Sequence, residues 1–420
     1  MELLDILAIL LTLAALFAYI NHRYIKLPVT IGIMLISLIA SLIMIFVGQF
    51  IPTFDDTAEH FVSSIDFNEL LMNGMLSYLL FAGALHVNLN ELKKQKRIVA
   101  IMATIGVTFS TFAVGTAAYY IFGMLSVEIP YAWCLVFGAL VAPTDPVAVL
   151  GILKTAGAPK SLETKITGES LFNDGVGVVI YLVLVGIAAS GMGEVTAGSV
   201  AKDFMIEAGG GIALGFILGF ICYKMLKSID NYHVEVLLTL ALVTAGYRFA
   251  MSYHLSGPLA MVVAGLMIGN HGRENAMSQQ TRNNVDTFWE LIDEILNAIL
   301  FLLIGLEIFI LDFSTPVIIA GIILIPVSLF VRYLSSGAAV GILGKMGKEF
   351  TPGVVKILTW GGIRGGISVA LALAIPKDAG DARTHILVVT YIIVIFSIAV
   401  QGLTLKPLIS KALAKDNKQA

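Results

Sequence analysis

Charged side chains are scarce in this chain, 13% of 420 residues against 58% apolar, and so low a share excludes an ordinary soluble domain. Cysteine is nearly missing. Cys134 and Cys222 both fall inside apolar stretches, so no disulfide framework is expected. The seven histidines lack ligand spacing, which argues against a metal centre, and no cofactor is expected. Period-2 alternation is absent, which excludes an outer-membrane barrel. No basic segment precedes the first apolar stretch; Glu2 and Asp5 stand there instead, so it reads as a retained helix and not a cleaved signal. Nothing supports nucleic-acid binding.

What the chain has in place of charge is long apolar runs. Thirteen of them lie near 3–21, 27–49, 68–88, 98–124, 131–152, 165–189, 204–223, 234–251, 257–269, 286–310, 316–344, 353–376 and 385–408. Each crosses or nearly crosses a hydrocarbon core of about 30 Å at roughly 1.5 Å per residue. Lipid supplies no backbone partners, so such segments must be helices. The expected fold class is an all-α polytopic membrane protein with thirteen transmembrane helices.

Lysine and arginine alternate sharply between the connections. One set carries Arg23, Lys26, Lys93, Lys94, Lys96, Arg97, Lys154, Lys160, Lys165, Lys224, Lys227, Arg273, Arg282, Lys345, Lys348 and the tail lysines 406, 411, 415 and 418, nineteen of the 26 basic residues. The opposite set carries Lys202, Lys377 and Arg383, and includes the acidic run Asp55-Asp56-Thr57-Ala58-Glu59. The positive-inside rule then puts the N-terminus outside and the C-terminus in the cytoplasm. Four cations lie within the stretches: Arg248, Arg332, Lys356 and Arg364. Lys356 is near an inner end and can snorkel. Arg332 and Arg364 lie deep and require anionic partners.

The chemistry concentrates in the fifth, sixth and twelfth stretches. Gly168-Glu169-Ser170-Leu171-Phe172-Asn173-Asp174-Gly175 lies in the sixth and Ala142-Pro143-Thr144-Asp145-Pro146 in the fifth, bringing three carboxylates into apolar helices. An intramembrane ionisable group marks an ion or proton pathway by default. At 100° per residue Glu169, Asn173, Ser170 and Asp174 share one face of a helix. Asp145 precedes Lys154, and Asp174 follows Lys165, by nine residues each; antiparallel helices would set both roughly 13 Å from the same membrane surface.

Prolines interrupt the fifth stretch around Asp145, and Gly361, Gly362, Gly365 and Gly366 interrupt the twelfth around Arg364. With the seventh helix as a spacer, these are the fifth members of two six-helix sets, so the repeats are inverted. Paired interruptions of this kind point to a transporter's midplane site. Oxygen ligands from Asp174, Asp145, Ser170 and the backbone near Thr144 suit a small hard cation. Proton and cation would compete for one carboxylate, because the empty anionic form is too costly to carry across.

These strings, with Ala142 to Val149 and Gly361-Gly362-Ile363-Arg364-Gly365-Gly366, resemble the sodium/proton antiporters of the NhaP type, in the first cation:proton antiporter family. The resemblance covers essentially the whole chain. It implies discontinuous, crossed helices 5 and 12 and a homodimer working by an elevator-like movement. The implied dimerisation domain comprises residues 1–97 and 234–315, the core 98–190 and 316–410, with a linker helix in 191–233. It makes Asp174 the ion- and proton-binding carboxylate, with Asp145, Ser170 and Thr144 assisting. Asn173 takes the place that is Asp in electrogenic relatives, implying electroneutral exchange. It also implies that Glu169 pairs with Arg332, while Arg364 balances the carbonyl ends of the broken helices.

The expected function is therefore Na⁺ or Li⁺ exchange for H⁺ in a plasma membrane, most simply a prokaryotic inner membrane, with membrane lipid and a second copy as partners. K⁺/H⁺ exchange stays open. An intramembrane aspartyl protease, suggested by two aspartates at equal depth, lacks a Gly-x-Gly-Asp arrangement, and a channel fits paired broken helices poorly. The chain is read as a transporter and not an enzyme. Asp286, Glu290, Asp293 and Glu294 form an acidic stripe that reads as a solvated helix end or as a cation funnel. Glu307 and Asp312 read as interface residues, and Glu207 as a partner of Arg248. Residues 411–420 make a short tail, with no large regulatory domain expected.

Overall fold

The computed structural model describes residues 3–48, 50, 69–145, 149, 152–153, 158–190, 202, 205–273, 276–308, 313–348, 350 and 353–416. Among these, every regular element is a helix, and eight helices are long and apolar enough to cross a membrane. The acidic run 55–59, Pro146, Lys154 and Asp312, and the side chain of Glu307, lie outside what is described.

In chain order the α-helices are α1 (Leu3–Ile20), α2 (Val29–Gly48), α3 (Leu76–Leu85), α4 (Leu89–Ile101), α5 (Val107–Met124), α6 (Tyr131–Val141), α7 (Lys160–Ser190) and α8 (Gly210–Lys227). They continue with α9 (Tyr232–Ser252), α10 (Gly257–Met267), α11 (Gln279–Glu307), α12 (Thr315–Lys345), α13 (Val354–Trp360), α14 (Gly366–Leu373), α15 (Asp381–Phe396) and α16 (Leu403–Asp416).

Several helices begin earlier than their apolar runs. Asn88 caps α4 by accepting from the amides of Asn90 (2.9 Å) and Glu91 (3.2 Å), so Lys93 to Arg97 ride on a helix and not in the expected loop. A π segment, Met102–Gly106, joins α4 to α5. Ser278 likewise caps α11 through the Thr281 amide at 3.4 Å, so that the helix starts seven residues before the apolar run. Capping satisfies amides that hydropathy does not register.

Two packing groups result. α4 to α7 pack together and against α12, which also covers α13 and α15. α1, α2, α3, α8, α9, α10 and α11 form the other group, through α2 on α11 and α10 between α3 and α8. The groups meet where α7 packs on α10 and α11 on α14. The site sits beside that second meeting point.

Candidate functional site

The site begins where two helices stop. α6 ends at Val141, because Pro143 brings no amide hydrogen and its ring clashes with a continuing helix. From the other side, α13 ends at Trp360, Gly361 to Gly365 leave the helical form, and α14 resumes at Gly366. The two breaks touch: the Asp145 amide donates to the Ile363 carbonyl at 2.7 Å. Glycine is required by this crossing. A Cβ on Gly365 would lie 2.6 Å from Cβ and Cγ of Asp145, and one on Gly366 would lie 2.5 Å from Cγ of Leu300 in α11.

α7 supplies the polar face. Glu169, Ser170, Asn173 and Asp174 are all buried, at 1%, 1%, 0% and 4% exposure. Asn173 holds the broken segment twice: its Oδ1 accepts from the Thr144 amide at 3.3 Å and its Nδ2 donates to Thr144 Oγ1 at 3.0 Å. Ser170 Oγ completes the chain at 3.0 Å from Thr144 Oγ1. Asp174, one residue beyond Asn173, is buried and feels the Asp145 carboxylate as a like charge. The sequence-derived candidates Asp145, Thr144, Ser170, Asn173 and Asp174 thus come together.

The two deep arginines take different partners. Arg332 of α12, 4% exposed, forms a buried ion pair with Glu169, and its Nε also lies 3.4 Å from the Leu358 carbonyl. Arg364 instead faces carbonyls: Nε donates to Val141 O, at the end of α6, at 3.0 Å, and Nη1 to Gly362 O at 2.5 Å. Carbonyls left without amides at a helix C-terminus carry partial negative charge, so a guanidinium belongs there. Carboxylate charge is balanced at Glu169 and dipole charge at Arg364.

Two braces escaped the sequence reading. Ser397 Oγ accepts from the Arg364 amide at 3.1 Å and donates to Gln401 Oε1, whose Nε2 donates to Trp360 O at 2.9 Å. Both braces come from a π segment, Ser397–Gly402, and hold the second break from behind. Their signal was a serine and a glutamine four residues apart in an apolar run. Arg248 lines a cavity of about 260 Å³ with Ser77, Tyr78 and Thr244. The Glu207 carbonyl accepts from the Ser256 amide at 3.0 Å. Lys356 is exposed, as snorkelling requires.

Paired breaks carrying one carboxylate and one guanidinium, faced by a buried polar helix, can dehydrate a small cation and exchange it for a proton. The chain is 47% identical over 416 residues to the Na(+)/H(+) antiporter NhaP of Pseudomonas aeruginosa, covering 98% of this chain and 97% of that one. It is 34% identical over 394 residues to the Na(+)/H(+) antiporter NhaH of Halobacillus dabanensis, covering 93% of each. Its fold matches the sodium proton antiporter MjNhaP1 of Methanocaldococcus jannaschii with a TM-score of 0.77 at 21% identity, over 98% of this chain and all of that one. Residues 11–411 match the family model for the transmembrane sodium/hydrogen exchanger, and the chain belongs to that family.

Proposed function

We propose that this protein exchanges Na⁺ or Li⁺ for H⁺ across a prokaryotic plasma membrane, one for one, with cation and proton competing for Asp174. The observation that carries the reading is the contact between two broken helices at Asp145 and Ile363, faced by the buried Asp174 of α7.

The mechanism follows from charge. Asp174 is almost sealed from solvent, and an uncompensated buried carboxylate costs several kcal/mol. It therefore crosses either protonated or with a cation bound. Ser170 and Thr144 hydroxyls and the freed backbone at the first break offer neutral oxygens to replace water around Na⁺ or Li⁺. Asn173 titrates no proton, and Glu169 is already neutralised by Arg332, so a single exchangeable proton is left for each cation.

The packing groups support a core of α4 to α7 and α12 to α15 moving against a dimerisation domain of α1 to α3 and α9 to α11, with the boundary at the start of α4 and not after residue 97, in a homodimer with its N-terminus outside and C-terminus in the cytoplasm. The charge alternation along the sequence supports that orientation.

The test is cation-driven proton flux in proteoliposomes with the membrane potential clamped, adding Na⁺, Li⁺ or K⁺ in turn. Wild type should respond to Na⁺ and Li⁺ without a potential, and Asp174→Ala should abolish the response. Cation-independent flux, or undiminished exchange by the variant, would refute the reading, and a response to K⁺ alone would reassign the cation.

A further inference from the structure

One peptide unit joins the two breaks. Its carbonyl, Ile363 O, accepts from the Asp145 amide at 2.7 Å, and its amide, Arg364 N, donates to Ser397 Oγ at 3.1 Å. The unit is trans and planar, so its C=O and N–H point in opposite directions and turn together. Whatever fixes the amide therefore aims the carbonyl at Asp145.

In an unbroken helix the Arg364 amide would donate to the Trp360 carbonyl, four residues back. The break parts these two groups, and the π segment Ser397–Gly402 spans the gap with side chains. Ser397 Oγ accepts from Arg364 and donates to Gln401 Oε1, and Gln401 Nε2 donates to Trp360 O at 2.9 Å. Ser397 and Gln401 are both buried, so bulk water does not replace either of them. The donors all run one way, from Arg364 through Ser397 and Gln401 to Trp360, and each bond polarises the next. The first break is thus held to the second through two side chains that belong to neither broken helix.

We propose that Ser397 and Gln401 are positioning residues for exchange: their relay fixes the peptide between Ile363 and Arg364, and with it the seat of Asp145 in the crossing, and so sets the affinity for the cation. This rests on the exchange reading above. Cutting the relay strands the Arg364 amide or the Trp360 carbonyl as a buried group without its partner. The peptide then turns toward other partners, Asp145 loses the Ile363 carbonyl, and the apparent Kd rises by the inverse of the fraction still correctly seated.

The experiment compares wild type, Ser397→Ala, Gln401→Met, the double variant, Ser397→Thr and Thr404→Val. It measures Na⁺ binding to purified protein by calorimetry, thermal unfolding, and Na⁺/H⁺ exchange in proteoliposomes. Ser397→Ala and Gln401→Met cut the relay at different members, and the second keeps the side-chain length, so either one that folds decides the question. Each should raise Kd and KM for Na⁺ by roughly five- to thirty-fold, the effect of one stranded buried group, with kcat within about threefold. The double variant should match a single one, because one relay is cut in every case. Ser397→Thr keeps the hydroxyl, and Thr404→Val removes only the bond from the Trp360 indole at 2.8 Å, so both should bind Na⁺ within about twofold of wild type. Lower unfolding temperatures with unchanged Kd in Ser397→Ala and Gln401→Met would mean a merely structural brace and overturn the proposal. Additive changes in Kd, or Ser397→Thr binding as weakly as Ser397→Ala, would overturn it too. Absence of exchange in wild type that still binds Na⁺ would defeat the functional reading alone, and the Kd values would still decide the role of the relay.

Discussion

Arg332 and Glu169 offer the sharpest test of how this site is built. Both side chains are nearly sealed, at 5% and 2% exposure, and they meet as an ion pair between residues 163 positions apart in sequence. Removing one partner leaves the other as a buried, uncompensated charge, which costs about 3–5 kcal/mol. Glu169→Ala and Arg332→Ala should therefore each lower the equilibrium unfolding free energy in mixed micelles by about that amount. The double variant removes both charges together, so its loss should resemble either single loss and not their sum, a coupling of about 3 kcal/mol in the cycle. A small excess in Arg332→Ala is expected from the Leu358 carbonyl, which lies 3.4 Å from the guanidinium. Additive losses would refute the reasoning, because they would mean that each charge is compensated by something other than its partner.

Two other perturbations probe the crossing. Gly365→Ala places a methyl group 2.6 Å from Cβ and Cγ of Asp145, so it should cost about 1–3 kcal/mol by overpacking and abolish transport while the protein still folds; intact flux would show that the two breaks separate easily. Asn173→Ala strands the Thr144 amide and takes one of two partners from its hydroxyl, in a site where Asn173 is fully buried. It should destabilise by about 1–3 kcal/mol and weaken Na⁺ binding measured calorimetrically, and an unchanged Kd would mean that Thr144 needs no such anchor.

Much of this architecture was legible in the sequence, because the signals are local. Composition and run length select membrane helices, since lipid leaves backbone groups no other partner. Proline and glycine mark the breaks through their own backbone chemistry. Helical periodicity puts Glu169, Ser170, Asn173 and Asp174 on one face, whatever surrounds them. Helix starts were less legible: Asn88 and Ser278 begin α4 and α11 by side-chain capping well ahead of the apolar runs.

Local pattern did not decide which charges meet; the pairing of Glu169 with Arg332 came from the family resemblance, and its geometry from the tertiary structure. Composition marks Arg332 and Arg364 alike as deep cations, and only the fold sends one to Glu169 and the other to the carbonyls of Val141 and Gly362. The same holds for Ser397 and Gln401 behind the second break. Coulomb and hydrogen-bond energies depend on distances between segments far apart in the chain, and local pattern carries no information about those distances.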